Sequence, residues 1–296
     1  LIHRIQNKGI LPMITSCSPG WIKFIEHFFP KSLAHLSTCK SPQQMTGAII
    51  KSWYAQKNNI DPKNIVVVSV MPCTAKKYEI RRENQGIGDI LDTDIVLTTR
   101  EVSRLIKRAG IDFKNLPDEE FDPTLGVSTG AGAIFGASGG VMEAALRTAS
   151  DILTGKSEDN FNYKEIRGNA GIKEAEYNIA GNTIKVAVAS GMKNAAQLLE
   201  KIKSGEKEYH FIEMMGCPGG CINGGGQPFV PDEIRNTTDV KTLRAKGLYK
   251  EDENLPLRKS HKNPIIQILY KEFLGEPGSK KAHQILHTTY KEKAKY

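Results

Sequence analysis

Short apolar runs alternate along this chain with stretches in which apolar residues recur every three or four positions. The runs predict β-strands at 11–15, 65–71, 95–97, 185–189 and 209–215. The periodic stretches predict α-helices at 21–29, 42–53, 99–106, 141–153, 195–202 and 264–273. Because strands and helices follow one another in turn, the pattern predicts an α/β fold with mostly parallel sheets flanked by helices.

Local signals add detail to this outline. Ser41 followed by Pro42 and Gln44 predicts a helix start, with Ser41 as the N-cap. The β-branched run at 65–71 predicts a strand that is buried on both faces. Thr99 is the predicted cap of the helix that follows 95–97, and the small residues at 128–140 predict a long loop.

The composition is that of a globular protein with an ample core, since 39% of the 296 residues are hydrophobic and 25% are charged. No apolar run reaches the ~18 residues of a membrane-spanning helix, so we expect no membrane span. The formal charge of +8 is concentrated in lysines near the C-terminus. No aromatic-interleaved basic motif accompanies them, which favours a solvated tail, or a surface for an acidic redox partner, over a nucleic-acid site.

Cysteine usage and the chain ends suggest where the protein works and how it is divided. Five scattered cysteines argue against a disulfide scaffold and for a reducing, cytoplasmic compartment. The chain begins at Leu1 rather than Met, so we expect a longer protein, in which a secretion signal could precede this residue. Increased charge after about Pro231 predicts a body at 1–232 and a helical wrapping segment with a basic tail at 233–296.

The densest chemical signal is the glycine-rich stretch at 213–228, which contains Cys217 and Cys221. Glycine lets backbone approach a ligand closely, thiolates suit soft metals, and free N–H groups can hydrogen-bond to inorganic sulfur. A zinc ribbon would show paired CxxC motifs, and these are absent. The stretch therefore favours an iron–sulfur type of site over a glycine-rich turn with two buried cysteines.

The other cysteines fall at informative positions. Cys17, Cys73 and Cys217 each follow a predicted strand almost directly. Open α/β sheets bind their ligands at the carboxyl ends of the strands. We therefore predict that these three segments meet in one crevice, where a metal cluster is bound.

Three segments together resemble the signatures of the iron-only (FeFe) hydrogenases. They are 15–21, 71–79 and 213–228, and they occur here in the family's order and at compatible spacing. The resemblance extends over essentially the whole chain, and the parts around His261 and His283 are similar to the family's small-subunit-type C-terminal segment. In this family the catalytic domain begins before the position that corresponds to Leu1.

The resemblance implies an H-cluster, in which a 4Fe-4S cluster is linked through one thiolate to a di-iron subcluster that carries CO, cyanide and azadithiolate. Cys73 and Cys217 match ligands of the 4Fe-4S cubane, and Cys221 matches the thiolate shared by both parts. Lys76 matches a lysine that pairs with a cyanide, as suits an ammonium donor beside a buried anion. Other matched positions line the di-iron subcluster or its proton path: Pro42, Gln43, Met71, Phe135, Met215 and Ser37.

One position departs from the commoner pattern of the family. Many members have two adjacent cysteines before Pro-Gly-Trp, of which the first donates protons and the second is a cubane ligand. This chain has Cys17 followed by Ser18. Serine is a hard and rare ligand for iron–sulfur iron. Three interpretations are open. Cys17 becomes a metal ligand, which we favour slightly; or Cys17 remains the proton relay and Ser18 binds iron weakly; or the site is altered.

The implied activity is the reversible reduction of protons to dihydrogen. Electrons would come from ferredoxin or NAD(P)H-oxidising subunits, and H-cluster maturation proteins would build the cofactor. Two alternatives are a non-catalytic relative that assists iron–sulfur protein assembly and a hydrogenase-like sensor. Assembly relatives typically have a single cysteine directly before Pro-Gly-Trp, where this chain has Ser18, and this difference favours the hydrogenase.

Overall fold

The computed structural model describes residues 1–157 and 163–295, in which six strands form two sheets. The strands are β1 (Met13–Ile14), β2 (Val68–Met71), β3 (Ile95–Thr98), β4 (Ile172–Ile179), β5 (Asn182–Ser190) and β6 (Phe211–Met215). The first helices are α1 (Ile2–Gln6), α2 (Pro19–Phe28), α3 (Pro42–Ile49), α4 (Lys76–Glu79), α5 (Thr99–Arg108) and α6 (Gly130–Ile134). The others, apart from a three-residue helix at Ala55–Lys57, are α7 (Gly140–Thr154), α8 (Met192–Lys203), α9 (Asp232–Thr237), α10 (Val240–Asn254), α11 (Pro264–Leu269) and α12 (Lys280–Leu286).

The larger sheet has the strand order β1-β6-β5-β4, and only the β4–β5 pair is antiparallel. Helices α2 and α8 cover one face, where Trp21 and Leu198 pack with Ile212 of β6. Helix α7 covers the other face, where Met142 packs with Val186 of β5. Every residue of β6 is buried. The predicted α/β architecture, with mostly parallel strands between helices, is therefore confirmed.

The smaller sheet contains β2 and β3, which pair in parallel. The prediction that 65–71 is buried on both faces is wrong, because Val68 is 49% exposed and Val70 is 53% exposed. The regular strand also begins only at Val68. A β-branched run fits extended backbone whether or not its face is covered, so the residue types indicated the strand correctly but not its burial.

Other sequence predictions need smaller corrections. Thr98, not Thr99, caps α5, because its hydroxyl accepts the N–H of Glu101 while the Glu101 carboxylate accepts the N–H of Thr98. The predicted loop at 128–140 includes the short helix α6. Strand β4 and helices α9 and α10 were not predicted. Helix α3 does start at Pro42, and π-helical turns extend both α3, through Ile50–Tyr54, and α11, through Tyr270–Leu274.

The C-terminal part of the chain lies across the rest of the protein. Helix α12 packs on α3, where Leu286 and Ala282 join the cluster around Trp53. Backbone bonds then link Lys40 N–H to the Leu286 carbonyl and Thr288 N–H to the Thr38 carbonyl, at 2.9 and 2.8 Å. These contacts fit the expected wrapping segment, while the boundary at 232 stays a prediction. In the described residues no helix combines the length and apolar character needed to cross a bilayer.

Candidate metal centre

Three loops meet in a crevice at the carboxyl ends of β1, β2 and β6. Strand β6, which leads into the Cys217 loop, is bound to the end of β1, because Thr15 Oγ1 accepts the N–H of Met214 at 2.9 Å. The same loop reaches the end of β2, where Gly226 N–H donates to the carbonyl of Pro72 at 2.9 Å. These contacts bring the predicted cysteine segments together, as the strand pattern indicated.

Glycine allows this close approach of the loops. A Cβ on Gly224 would lie 2.0 Å from the carbonyl oxygen of Pro72, although Gly224 itself has an ordinary φ of −65°. Gly220 has a φ of +99°, and a Cβ there would lie 2.6 Å from the backbone nitrogen of Ser138. The 128–140 segment therefore packs directly against the Cys217–Cys221 loop, as expected from its small residues.

Cys73, Cys217 and Cys221 form the centre of the crevice, and the five cysteines of the described chain are all free thiols. Burial raises the pKa of the Cys221 thiol to about 11, and the charges of Cys73 and Cys217 act in the same direction. Burial and the charge of Cys73 also raise the pKa of Cys217, while an N–H from Gly225 lowers it in part. Thiols close enough to influence one another suit a shared cationic group.

Cys17 and Lys76 lie on one side of this centre. Lys76 is buried, and its Nζ donates to the backbone oxygen of Cys17 at 3.0 Å and to both oxygens of Glu79, the nearer at 2.9 Å. Burial raises the pKa of the Cys17 thiol to about 12, although the Lys76 ammonium opposes this. Among the cysteines, Cys221 has the strongest effect on Cys17. Lys76 is thus a residue of the crevice and not a surface charge.

Glu79 is a site residue that the sequence analysis did not identify. Its carboxylate accepts from Ser41 Oγ at 2.7 Å and from Gln43 Nε2 at 3.2 Å, besides the bonds from Lys76. Gln43 Oε1 in turn accepts from Ser69 Oγ at 2.8 Å. The available signal was the spacing of Lys76 and Glu79, since residues three apart on a helix can pair.

Glu213 is a second buried carboxylate that was not identified. It projects from β6 to the start of α7, where it accepts the N–H groups of Gly139 and Met142 at 2.6 and 2.7 Å. Burial raises its pKa, and these N–H groups and the charge of Lys173 counteract that rise. The carboxylate thereby fixes the end of β6 to the small-residue segment, where helix-terminal N–H groups otherwise lack partners.

Most of the remaining predicted site residues lie at the ends of strands or helices. Met71 ends β2 and is half-buried, Met215 ends β6 and is buried, and Phe135 follows α6 and is half-buried. Pro42 is exposed at the first turn of α3. Ser37 Oγ accepts the N–H of Cys39 at 3.3 Å. The roles of these five residues stay predictions.

The donor set consists of thiols, the ligands that hold a multi-iron cluster. Within 1–157 and 163–295, no three His, Cys, Asp or Glu side chains stand close enough to bind a single metal ion. In an iron–sulfur cluster each thiolate binds its own iron, so the ligands surround the group instead of meeting at one point. Three convergent thiols, the Gly225 N–H beside Cys217 and the glycine-lined walls fit three corners of a 4Fe-4S cluster.

Comparison with family models gives two matches. Residues 1–225 match the model described as "Iron only hydrogenase large subunit, C-terminal domain". Residues 238–293 match the model described as "Iron hydrogenase small subunit". The two matches together account for nearly the whole chain.

Individual relatives agree with these family matches. The chain is 47% identical over 98% of its length to Iron hydrogenase 1 of Clostridium pasteurianum, and 51% identical over 95% to the NADP-reducing hydrogenase subunit HndD of Solidesulfovibrio fructosivorans. It spans 51% and 47% of those proteins, about half their length. It is also 34% identical to Protein NAR1 of Arabidopsis thaliana, over 96% of this chain and 62% of that protein.

A solved structure shows the same architecture. It is a variant of the apo FeFe-hydrogenase HydA1 from Chlamydomonas reinhardtii, with a TM-score of 0.84 and 39% sequence identity. The alignment covers 99% of this chain and 80% of the other.

Proposed function

The chain belongs to the iron-only hydrogenase family, and from this we propose that it forms the H-cluster-binding core of an enzyme that interconverts protons and dihydrogen. Relatives at about 50% identity that are named hydrogenases support the oxidoreductase class. The chain spans only about half of those relatives. The proposed activity is therefore that of the whole protein to which this core contributes.

One observation supports a catalytic centre in particular, namely the buried Lys76 beside Cys17 and Cys221. A buried ammonium is costly unless anions surround it. Glu79 provides one carboxylate at 2.9 Å. The Lys76 charge also lowers the pKa of both Cys17 and Cys221, against the effect of burial. We propose that Lys76 additionally anchors a cyanide ligand of the cofactor.

The residues of this chain would hold the H-cluster and control protons and water around it. Cys73, Cys217 and Cys221 would bind iron, and Cys221 would be shared by the 4Fe-4S and di-iron parts. When bound, the di-iron part with its CO, cyanide and azadithiolate supplies the site at which protons and electrons combine. The Cys17 thiol keeps its proton at neutral pH, because burial raises its pKa to about 12. We propose that this thiol, which stays protonated, carries the proton that is passed on at Sγ.

The second candidate is a non-catalytic assembly protein, and the likeness to Protein NAR1 supports it. Such a protein would use the same three thiols for a 4Fe-4S cluster but would carry no di-iron subcluster. The two candidates therefore differ in a measurable cofactor rather than in fold.

The partners and the compartment follow as proposals of the same kind. The likeness to a subunit named NADP-reducing supports electron exchange with NAD(P)H-oxidising subunits, and ferredoxin is the other donor that we propose. The C-terminal match to a small subunit also supports assembly from subunits in this family. H-cluster maturation proteins would load the cofactor. Five free cysteines support a reducing, cytoplasmic location.

The test is infrared spectroscopy of the full-length protein after co-expression with hydrogenase maturation proteins. CO and cyanide stretching bands together with dihydrogen evolution are expected. Lys76→Ala should lose these bands and lower evolution by at least tenfold, while iron bound in the 4Fe-4S cluster remains. The matched control is Lys77→Ala, since Lys77 is exposed and pairs with Glu101. A 4Fe-4S signal without CO and cyanide bands would support the assembly protein instead.

A further inference from the structure

We propose that Ser18, and not Cys17, occupies the fourth corner of the 4Fe-4S cluster, so that one iron is bound through oxygen. This inference rests on the proposed function, because it presupposes that a cluster binds Cys73, Cys217 and Cys221. It goes further by assigning the fourth ligand and the chemistry of that corner.

The register of the larger sheet determines where residue 18 lies. Strands β1 and β6 pair in parallel, with Met13 opposite Phe211 and Ile14 opposite Ile212. The same offset continues beyond the strands and places Ser18 opposite Gly216. Gly216 N–H does donate to Ser18 Oγ, at 3.2 Å. Ser18 therefore lies beside the backbone that leads directly into the ligand Cys217.

The hydroxyl of Ser18 faces away from its own helix. Ser18 is the N-cap of α2, yet its side chain makes no capping hydrogen bond. An N-cap serine usually accepts an N–H from the first turn of its helix. Here the hydroxyl is directed to the β6 loop instead, and a Cβ on Gly216 would lie only 2.8 Å from Ser18 Oγ. Glycine at 216 leaves the space that this orientation needs.

Cys17 belongs to a different part of the crevice. Successive side chains of an extended segment point in opposite directions, and Ser18 has extended backbone angles of −99° and 111°. Cys17 is accordingly directed away from the Gly216 side, and its backbone oxygen accepts from Lys76 Nζ at 3.0 Å on the other side of the crevice. One of the two residues can thus face the fourth corner, and the contacts of Ser18 identify it as that residue.

An oxygen ligand makes this corner chemically distinct. Serine is harder than a thiolate and binds iron–sulfur iron less well. We therefore expect this iron to exchange more readily than the other three. One-electron oxidation by ferricyanide, with departure of one Fe²⁺, would convert a 4Fe-4S cluster of charge 2+ into a 3Fe-4S cluster of charge 1+. Ser18 Oγ would take up a proton as its bond to iron breaks.

The test uses the full-length protein, reconstituted anaerobically with iron and sulfide in the absence of maturation proteins. The rate of iron loss to bathophenanthroline disulfonate and the 3Fe-4S electron paramagnetic resonance signal after ferricyanide treatment are measured. Ser18→Cys should slow iron loss several-fold and abolish the signal, and Ser18→Ala should speed the loss. Cys17→Ala should behave like the unchanged protein. The control Ser204→Cys adds a thiol at an exposed serine far along the chain from the motif and should change neither quantity.

The outcomes separate this inference from the proposed function. Equal iron loss in the unchanged protein, Ser18→Cys and Ser18→Ala would overturn the assignment of Ser18 and leave the proposed function intact. Loss of the cluster in Cys17→Ala alone would assign the fourth corner to Cys17. Failure of every variant to bind a cluster would overturn the proposed function together with the inference.

Discussion

At the scale of single residues, the crevice is organised by charges that are buried and fully hydrogen-bonded. Lys173 is the clearest example outside the cysteine loops. Its Nζ donates to the carbonyls of Ser138 and Gly168 at 2.8 and 2.9 Å, and so ties β4 to the small-residue segment. Burial lowers the pKa of Lys173 to about 8, and the charge of Glu213 opposes this.

The lowered pKa of Lys173 predicts a stability that rises with pH. Above pH 8 the folded protein releases this proton, while the unfolded chain keeps it up to about pH 10.5. The unfolded state then binds more protons, so the free energy of unfolding increases, by an amount on the order of 2 kcal/mol between pH 8 and 10. Denaturant unfolding of the unchanged protein and Lys173→Met should therefore diverge over this range. The control Lys185→Met alters an exposed lysine on β5. Parallel curves for the unchanged protein and Lys173→Met would contradict the prediction.

Sequence motifs predicted which residues enter the crevice but not how each is held there. Lys76 could be assigned because its spacing from Cys73 is part of a recognisable motif. Its partner Glu79 accepts hydrogen bonds from Ser41 and Gln43, which belong to another segment of the chain. Glu213 likewise bonds to backbone N–H groups of α7. Such partners depend on tertiary packing, so local pattern alone did not reveal them.

At the scale of elements, the crevice depends on two loops that pack backbone against backbone. Gly224 of the Cys221 loop lies against the Pro72 carbonyl at the end of β2. Since Gly224 has a φ of −65°, alanine there would suffer no backbone strain, and only the contact with Pro72 would be affected.

We expect Gly224→Ala to separate the two loops and lower the iron bound per chain after reconstitution. The added Cβ would lie 2.0 Å from a backbone oxygen, so one loop must move and carry Cys221 away from Cys73. The matched control is Gly247→Ala within α10, where a Cβ meets open space. That change should leave iron binding intact and raise the free energy of unfolding by about 0.5–1 kcal/mol. Undiminished iron in Gly224→Ala would show that iron binding does not depend on this loop contact.

Elements were predictable where a local signal coincided with burial. The Pro42 start of α3 and the strand β6 follow from turn chemistry and an apolar run. Strand β4 was missed because it has no apolar run of the kind used to predict the other strands, although its alternating charged and apolar residues are themselves a strand signal. Helix α10 was missed because only one of its residues, Asp252, is buried, so it lacks a wide apolar stripe.

At the scale of the whole molecule, the two sheets differ in how well they are covered. The larger sheet lies between helices, whereas the β2–β3 sheet exposes an apolar face that includes Val68, Val70 and Ile95. The residue types of β2 predicted a strand, but coverage depends on what else packs against it. Exposed β-branched surface on a short sheet favours self-association.

Val70→Lys should therefore reduce self-association of the isolated chain without unfolding it. Val70 is 53% exposed, so the lysine can extend into solvent while its charge interrupts the apolar face. Light scattering across a concentration series should show a larger monomer fraction than for the unchanged chain. Val127→Lys, with the same charge change at an exposed valine outside β2 and β3, is the control. An equal increase in monomer fraction in both variants would assign the effect to net charge rather than to the apolar face of the β2–β3 sheet.

The separation of the crevice cysteines along the chain has a consequence for biosynthesis. Cys17 and Cys73 leave the ribosome long before Cys217 and Cys221, and Glu213 and the Gly224–Gly226 loop also emerge late. Until these residues are available, the nascent chain lacks the walls that bring the thiols together. The backbone hydrogen bond from Thr288 to Thr38 in the C-terminal segment forms later still. Under the proposed function, the cluster can therefore gain all of its thiol ligands only after Cys221 has emerged, in the last third of synthesis.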